Sequence, residues 1–222
     1  MTKSEVLKTI HDVGVVPVLR APSVEAALAI ARAVEAGGVP VLEVTMTVPG
    51  AVEVIRTLAT AASGGELLVG AGTVLDPETA RACILAGAQF IVSPALCVPT
   101  IKLCRRYGIA VMPGALTPTE ILAAWQAGAD VIKVFPCSAM GGASYLKALK
   151  APFPQVALLP TGGVSLSTAA EFLAAGAFAL GVGGDLIDNE AIKKGQPEII
   201  TANARRYLEI VRKARENGDH QG

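Results

Sequence analysis

The stretch ADVIKVFP, residues 129–136, fixes the fold class and raises the chemical question at once. Val131, Ile132, Val134 and Phe135 are strand formers and Pro136 closes the run, so it reads as a buried strand. Lys133 stands in its middle and shares a face with Val131. If that face points into a core, the ammonium loses its hydration at a cost of several kcal/mol unless it is paired or neutral. A neutral lysine is a nucleophile.

Runs of the same kind recur along the chain: VVPVL (15–19), VLEVT (41–45), LLVGA (67–71), FIVSP (90–94), IAVMP (109–113), VIKVF (131–135), VALLP (156–160) and FALGV (178–182). Their spacing leaves room each time for one helix and two short loops. Helical patterns fill the gaps, among them VEAALAIARAVEAGG, PETARACILAGA, PTEILAAWQAGA and STAAEFLAAGA, most of them ending in an Ala-Gly pair where glycine can close the helix. Alternating strands and helices imply a parallel sheet. Eight such units in this length predict a closed (β/α)8 barrel rather than a doubly wound sheet. We expect a single domain over residues 1–222. Its final helix should cover 198–216 with Ile199, Asn203, Tyr207, Ile210, Val211 and Ala214 near one stripe, followed by a loose tail over 216–222.

The totals narrow the function. The 222 residues are 52% hydrophobic, enough for a sizeable core. Nineteen Lys+Arg balance nineteen Asp+Glu, so no global positive field exists to hold nucleic acid or an anionic membrane surface, and any anion must be bound locally. Cys83, Cys97, Cys104 and Cys137 show no paired metal-ligand spacing, and His11 and His220 sit near the chain ends; no metal is expected. The N-terminal MTKSEVLKTIHDV carries charges where a signal peptide would be apolar, which predicts a cytoplasmic protein with reduced thiols. Residues 82–101 lack charge, yet Gln89, Ser93, Pro94 and Pro99 divide them into a helix end, a short strand FIV and a loop, so a membrane span is not expected.

In parallel barrels the ligand binds at the carboxyl ends of the strands. The residues that close the runs are Arg20, Glu43 with Thr45 and Thr47, Gly72 with Thr73, Ser93 with Pro94, Pro113 with Gly114, Lys133 with Phe135, Thr161 to Gly163, and Gly183 to Asp185. Glu43 interrupts an apolar strand. It fits either a structural ion pair with Lys133 or Arg20, or a proton-transfer group. Lys133 alone fits a side chain snorkelling to the rim, but an acid and an amine in one small cavity form the acid/base and nucleophile set that carbonyl chemistry needs. PTGGVS and GVGGDL follow the seventh and eighth runs, where barrels commonly cradle phosphate on backbone N–H groups. Arg20 reads as a solvated loop arginine or as a fork for a substrate carboxylate. The cysteines and Trp125 read as packing or surface cover.

The motifs LEVT, VGAGTV, IVSP, IKVFP and PTGG, in that order, resemble those of the 2-keto-3-deoxy-6-phosphogluconate (KDPG) and 4-hydroxy-2-oxoglutarate (KHG) aldolase family over nearly the whole chain. The resemblance implies a class I aldolase on a (β/α)8 barrel, a homotrimer that needs neither cofactor nor metal and acts on a small keto-acid, phosphorylated in the KDPG case. It implies Lys133 as the Schiff-base lysine and Glu43 as the proton carrier. Thr73 and Pro94 would line the pyruvyl end, Phe135 would pack near the lysine, and Gly162 and Gly163 would belong to the phosphate loop. Thr161, Gly183 and Gly184 fall in the same substrate-binding set. Two positions depart from the pattern. Thr47 stands where many members carry a carboxylate-gripping arginine, which makes Arg20 the substitute, and Asp185 stands where many carry a phosphate-binding serine. A carboxylate facing a phosphate is repulsive, so Asp185 should point away or the preferred substrate should differ. Two alternatives share these features: an aldolase acting mainly on KHG or another keto-acid, and a phosphate-binding barrel isomerase or synthase, which would not need a covalent lysine.

Overall fold

In a computed structural model, which describes residues 1–61 and 67–219, the strands run in chain order. They are β1 (Val15–Leu19), β2 (Val41–Thr45), β3 (Leu68–Gly72), β4 (Phe90–Val92), β5 (Ala110–Met112), β6 (Gly114–Ala115), β7 (Ile132–Val134), β8 (Leu158–Pro160) and β9 (Leu180–Val182). The helices are α1 (Lys3–Val13), α2 (Val24–Ala36), α3 (Ala51–Ala61), α4 (Pro77–Leu85), α5 (Val98–Tyr107), α6 (Pro118–Ala127), α7 (Ala143–Lys150), α8 (Ala169–Ala174), α9 (Asn189–Lys193) and α10 (Glu198–Asp219). All eight apolar runs contain strand. Their ends are set by local chemistry: Thr117 and Glu120 form a reciprocal capping box at the start of α6, whose first residue is Pro118, and Asp76 accepts from the Thr79 N–H ahead of α4.

Every strand pairing is parallel. One sheet has the order β5-β4-β3-β2-β1-β9, and a second has the order β6-β7-β8. The fifth run holds β5, which pairs with β4, and just beyond its closing Pro113 a short further strand, β6, pairs with β7. Proline has no N–H for the ladder, so the chain changes partner there, while the Pro113 carbonyl still accepts from the Lys133 N–H at 2.9 Å. Between β8 and β9 lie a single parallel bridge, Thr161 to Gly181, and a bond from the Phe178 N–H to the Leu158 carbonyl at 2.8 Å.

Alternation along the strands sorts the apolar residues into two clusters. Leu42 and Val44 of β2 join the large cluster between strands and helices. The small cluster gathers the opening residues of the runs, including Val16, Val41, Leu68, Phe90, Val131 and Ala179, under Val6 and Ile10 of α1. Helix α1 therefore stoppers the amino ends of the strands. It starts from a Thr2/Glu5 capping box, and Lys3 pairs at 2.7 Å with Asp130, whose other oxygen accepts the Val111 N–H. The site is left to the opposite, carboxyl ends.

The last helix differs from its expected stripe. Its buried face is Ile200, Ala204, Tyr207 and Val211, an i, i+4, i+7, i+11 set, whereas Ile199 is exposed and Ala214 is only partly covered. The helix runs on to Asp219; the remainder of the tail expected over 216–222, with His220, lies outside the described residues. No helix among the described residues is long and apolar enough to cross a membrane, and no cluster of three or more metal-ligating side chains occurs among them.

Candidate active site

Glu43 and Lys133 both point inward. Their residues are 1% and 5% exposed, and the Lys133 Nζ lies 3.7 Å from the Glu43 Oε1. That separation is within ion-pair range but beyond hydrogen-bond distance, and neither Glu43 oxygen has a hydrogen-bond partner. A buried carboxylate left without hydrogen bonds carries a desolvation cost and calls for a functional explanation. The Phe135 ring centroid is 5.5 Å from the Lys133 Nζ, so the aromatic face covers the ammonium position.

Beside this pair, a cavity of about 590 Å³ is lined by Arg20, Phe135, Thr161, Gly162, Gly163, Gly183 and Gly184, together with Asp185 and Asn189. Eight of the residues singled out in the sequence, Asp185 included, thus share one cavity. Lys133 and Glu43 do not line it; both are buried, Lys133 beside the Phe135 ring that lines the cavity and Glu43 beside Lys133. Thr73 and Pro94 close β3 and β4 on the same rim but stand outside the cavity, and Thr73 has a left-handed backbone with φ of 58°. Among the described residues, the N–H groups of Gly162, Gly163, Gly183 and Gly184 donate to no protein acceptor. Gly162 and Gly163 have φ of 86° and 78°, which suit glycine and turn this backbone toward open space.

Asp185 is engaged. Its Oδ1 accepts from the Leu166 N–H at 3.0 Å and from the Tyr207 hydroxyl at 2.5 Å, so one carboxylate ties the two glycine loops to α10. Burial and this hydrogen bond push the Tyr207 hydroxyl far up from its ordinary pKa, and it stays a donor. Arg20 is exposed and has no ion pair or hydrogen bond among the described residues. Thr47 is differently committed. The Thr45 hydroxyl donates to the Leu19 carbonyl at 2.9 Å and lies 2.7 Å from the Thr47 oxygen, so Thr47's single proton is directed to Thr45.

Sequence reasoning missed Asn189, which lines the cavity four residues beyond Asp185 with its Oδ1 buried and unpartnered. An Asn at the start of a short polar helix carries no signal that would have found it. Cys83, Cys104 and Cys137 are buried and inert by environment. Burial pushes Cys83 and Cys137 up to about 11, and burial with the nearby Asp130 pushes Cys104 up to about 12.

Residues 6–203 match the model of the family described as KDPG and KHG aldolase. The KHG/KDPG aldolase of Escherichia coli strain K12 is 39% identical over 196 residues, which cover 88% of this chain and 91% of that one. Among solved structures, the KDPG aldolase of Legionella pneumophila, with pyruvate captured as a covalent carbinolamine intermediate, superposes with a TM-score of 0.83 at 32% identity, covering 90% of this chain and 96% of that one. The KDPG aldolase of Zymomonas mobilis ZM4, solved with 3-phosphoglycerate, gives a TM-score of 0.81 at 30% identity, covering 93% and 96%.

Proposed function

Because the chain belongs to the KDPG and KHG aldolase family, we propose that Lys133 and Glu43 are its catalytic pair. The protein is a class I aldolase, a lyase that cleaves KDPG or KHG to pyruvate and an aldehyde. The observation that carries the residue assignment is the buried amine 3.7 Å from a carboxylate with no other partner. In its unprotonated form the Lys133 amine attacks the C2 ketone, water leaves, and the iminium becomes an electron sink. Glu43 takes the proton of the C4 hydroxyl as the C3–C4 bond breaks, releasing the aldehyde and leaving an enamine. Protonation of the enamine and hydrolysis of the imine release pyruvate and restore the amine. From KDPG the aldehyde is glyceraldehyde 3-phosphate.

The phosphorylated substrate is our reading of the cavity, supported by the unspent N–H groups of Gly162, Gly163, Gly183 and Gly184 and by an Asp185 oxygen already bonded to Leu166 and Tyr207. Pyruvate release should be measured with KDPG, with unphosphorylated 2-keto-3-deoxygluconate and with KHG. A clear preference in kcat/KM for KDPG is expected, and equal values for KDPG and its unphosphorylated analogue would remove the phosphate role.

Thr73 and Pro94 remain our candidates for the pyruvyl end on the strength of their rim positions, and Arg20 for the carboxylate. Thr47's spent hydroxyl supports Arg20, as does the free guanidinium on the cavity wall. A charged hydrogen bond contributes about 1.5–3 kcal/mol against about 0.5–1.5 for a neutral one. Arg20→Ala should therefore raise KM about tenfold or more on both KDPG and KHG, Thr47→Ala should do little, and Thr47→Arg should partly rescue Arg20→Ala. A loss confined to the phosphorylated substrate would move Arg20 to the phosphate.

We further read the two sheets as one closed (β/α)8 barrel in a single domain, supported by the Thr161–Gly181 bridge and by β5 and β6 being separated only by Pro113. The homotrimer is supported by exposed apolar side chains on neighbouring segments, Leu75, Leu85, Tyr107, Leu122 and Trp125. The cytoplasmic setting is supported by four free thiols.

A further inference from the structure

We infer that Gly72 is a positioning residue for the Glu43 carboxylate. This deepens the aldolase reading and rests on it. In the parallel pair of β2 and β3, Glu43 is registered with Gly70 and Thr45 with Gly72. Glu43 and Thr45 share one face of β2, and two places on β3 have no side chain. Neighbours from either side have moved over the exposed backbone. A Cβ at Gly70 would lie 2.3 Å from the Phe90 ring of β4, and a Cβ at Gly72 would lie 1.9 Å from the Glu43 Oε1, 2.5 Å from its Cδ and 2.6 Å from its Cγ. Carbon atoms in contact rest about 3.5–4.0 Å apart, so the Glu43 side chain occupies the space a methyl group would need.

Gly72 does not adopt a positive φ, so backbone conformation does not call for glycine here; space does. Hydrogen bonding cannot fix the carboxylate either. Its two oxygens have no hydrogen-bond partner, and the nearest inward hydroxyl on its own strand, Thr45, is committed to Leu19 and Thr47. What remains is the Lys133 ammonium at 3.7 Å on one side and packing against the Gly72 backbone on the other. A proton-transfer group must stand within hydrogen-bond reach of the proton it moves, so the shape of β3 sets where Glu43 can act.

The test is Gly72→Ala beside Gly70→Ala. Misplacing a catalytic group by about 1 Å can cost about 10²-fold, so Gly72→Ala should lower kcat about 10- to 100-fold with KM little changed and the pH–rate profile displaced. Borohydride trapping of pyruvate on Lys133 should persist. Adding Glu43→Asp, one methylene shorter, should relieve the overlap and make the double variant more active than Gly72→Ala alone. Gly70→Ala meets Phe90 instead and should lower the melting temperature without displacing the pH–rate profile. A folded Gly72→Ala with wild-type kcat and profile overturns the inference, as does a loss that Glu43→Asp does not relieve. If Gly72→Ala does not fold, the double variant decides: recovery of the fold supports the overlap, and a double variant that stays unfolded overturns it. Failure of the wild-type protein to trap pyruvate would strike the aldolase reading itself and is read separately.

Discussion

Borohydride reduction in the presence of pyruvate is expected to leave one three-carbon unit on the peptide that contains Lys133, and Lys133→Met is expected to abolish turnover. Lys133 is the lysine that lies within a strand, buried beside the cavity and 3.7 Å from a carboxylate. The other candidates are placed differently. Lys102 and Lys147 are exposed on α5 and α7, and the Lys150 ammonium is held by the carbonyls of Pro154 and Val156 at 2.8 and 2.9 Å. Burial lowers the Lys150 pKa from its ordinary value, yet those two acceptors and its place outside the strands keep it from the substrate. Removing a covalent nucleophile can cost on the order of 10⁶ in kcat, and methionine keeps most of the volume while leaving no amine to form the imine. A label on Lys102, Lys147 or Lys150, or a Lys133→Met protein that still turns over, would refute the assignment.

Glu43→Gln should keep the fold and lose about 10²- to 10⁴-fold in kcat, the usual contribution of a general acid or base. The amide fills nearly the same space over Gly72, and because the native carboxylate makes no hydrogen bond, none is broken by the change. What disappears is the group able to take and return a proton. Trapping of pyruvate on Lys133 should survive, which separates loss of proton transfer from loss of the covalent site. Near wild-type kcat in Glu43→Gln would reduce the pair to the structural ion pair that the sequence also allowed.

The repeat of apolar runs was legible because a strand buried on both faces shows as an unbroken apolar stretch, and the two charges inside such stretches, Glu43 and Lys133, stood out against it. The glycine pairs were legible from their place after the seventh and eighth runs. What could not be read depends on contacts between distant segments. Asp185 looked like a repulsive neighbour for a phosphate, and only the fold brings Leu166 and Tyr207 to its carboxylate. Thr47 read only as a missing arginine, and only the fold shows that its proton goes to Thr45, whose own proton goes to the Leu19 carbonyl. Gly72 read only as a rim residue closing the third run, since nothing in its neighbours along the chain reports that a side chain from β2 lies across it. Ile199 falls on a helical stripe with Asn203 and Tyr207, but the face that α10 buries is centred one residue on, at Ile200, and leaves Ile199 exposed.

The stopper at the amino ends of the strands has a consequence for how this enzyme can change under selection. Val6 and Ile10 sit with the opening layer of the strands, and Lys3 is fastened to Asp130, whereas Lys133, Glu43 and the glycine loops belong to the other end. Mutations that improve α1 and its seat add stability without touching the groups we propose as reacting. That reserve can then absorb the destabilisation that most changes at the loops bring, so a lineage carrying it can explore new aldehyde partners before falling below the threshold for folding.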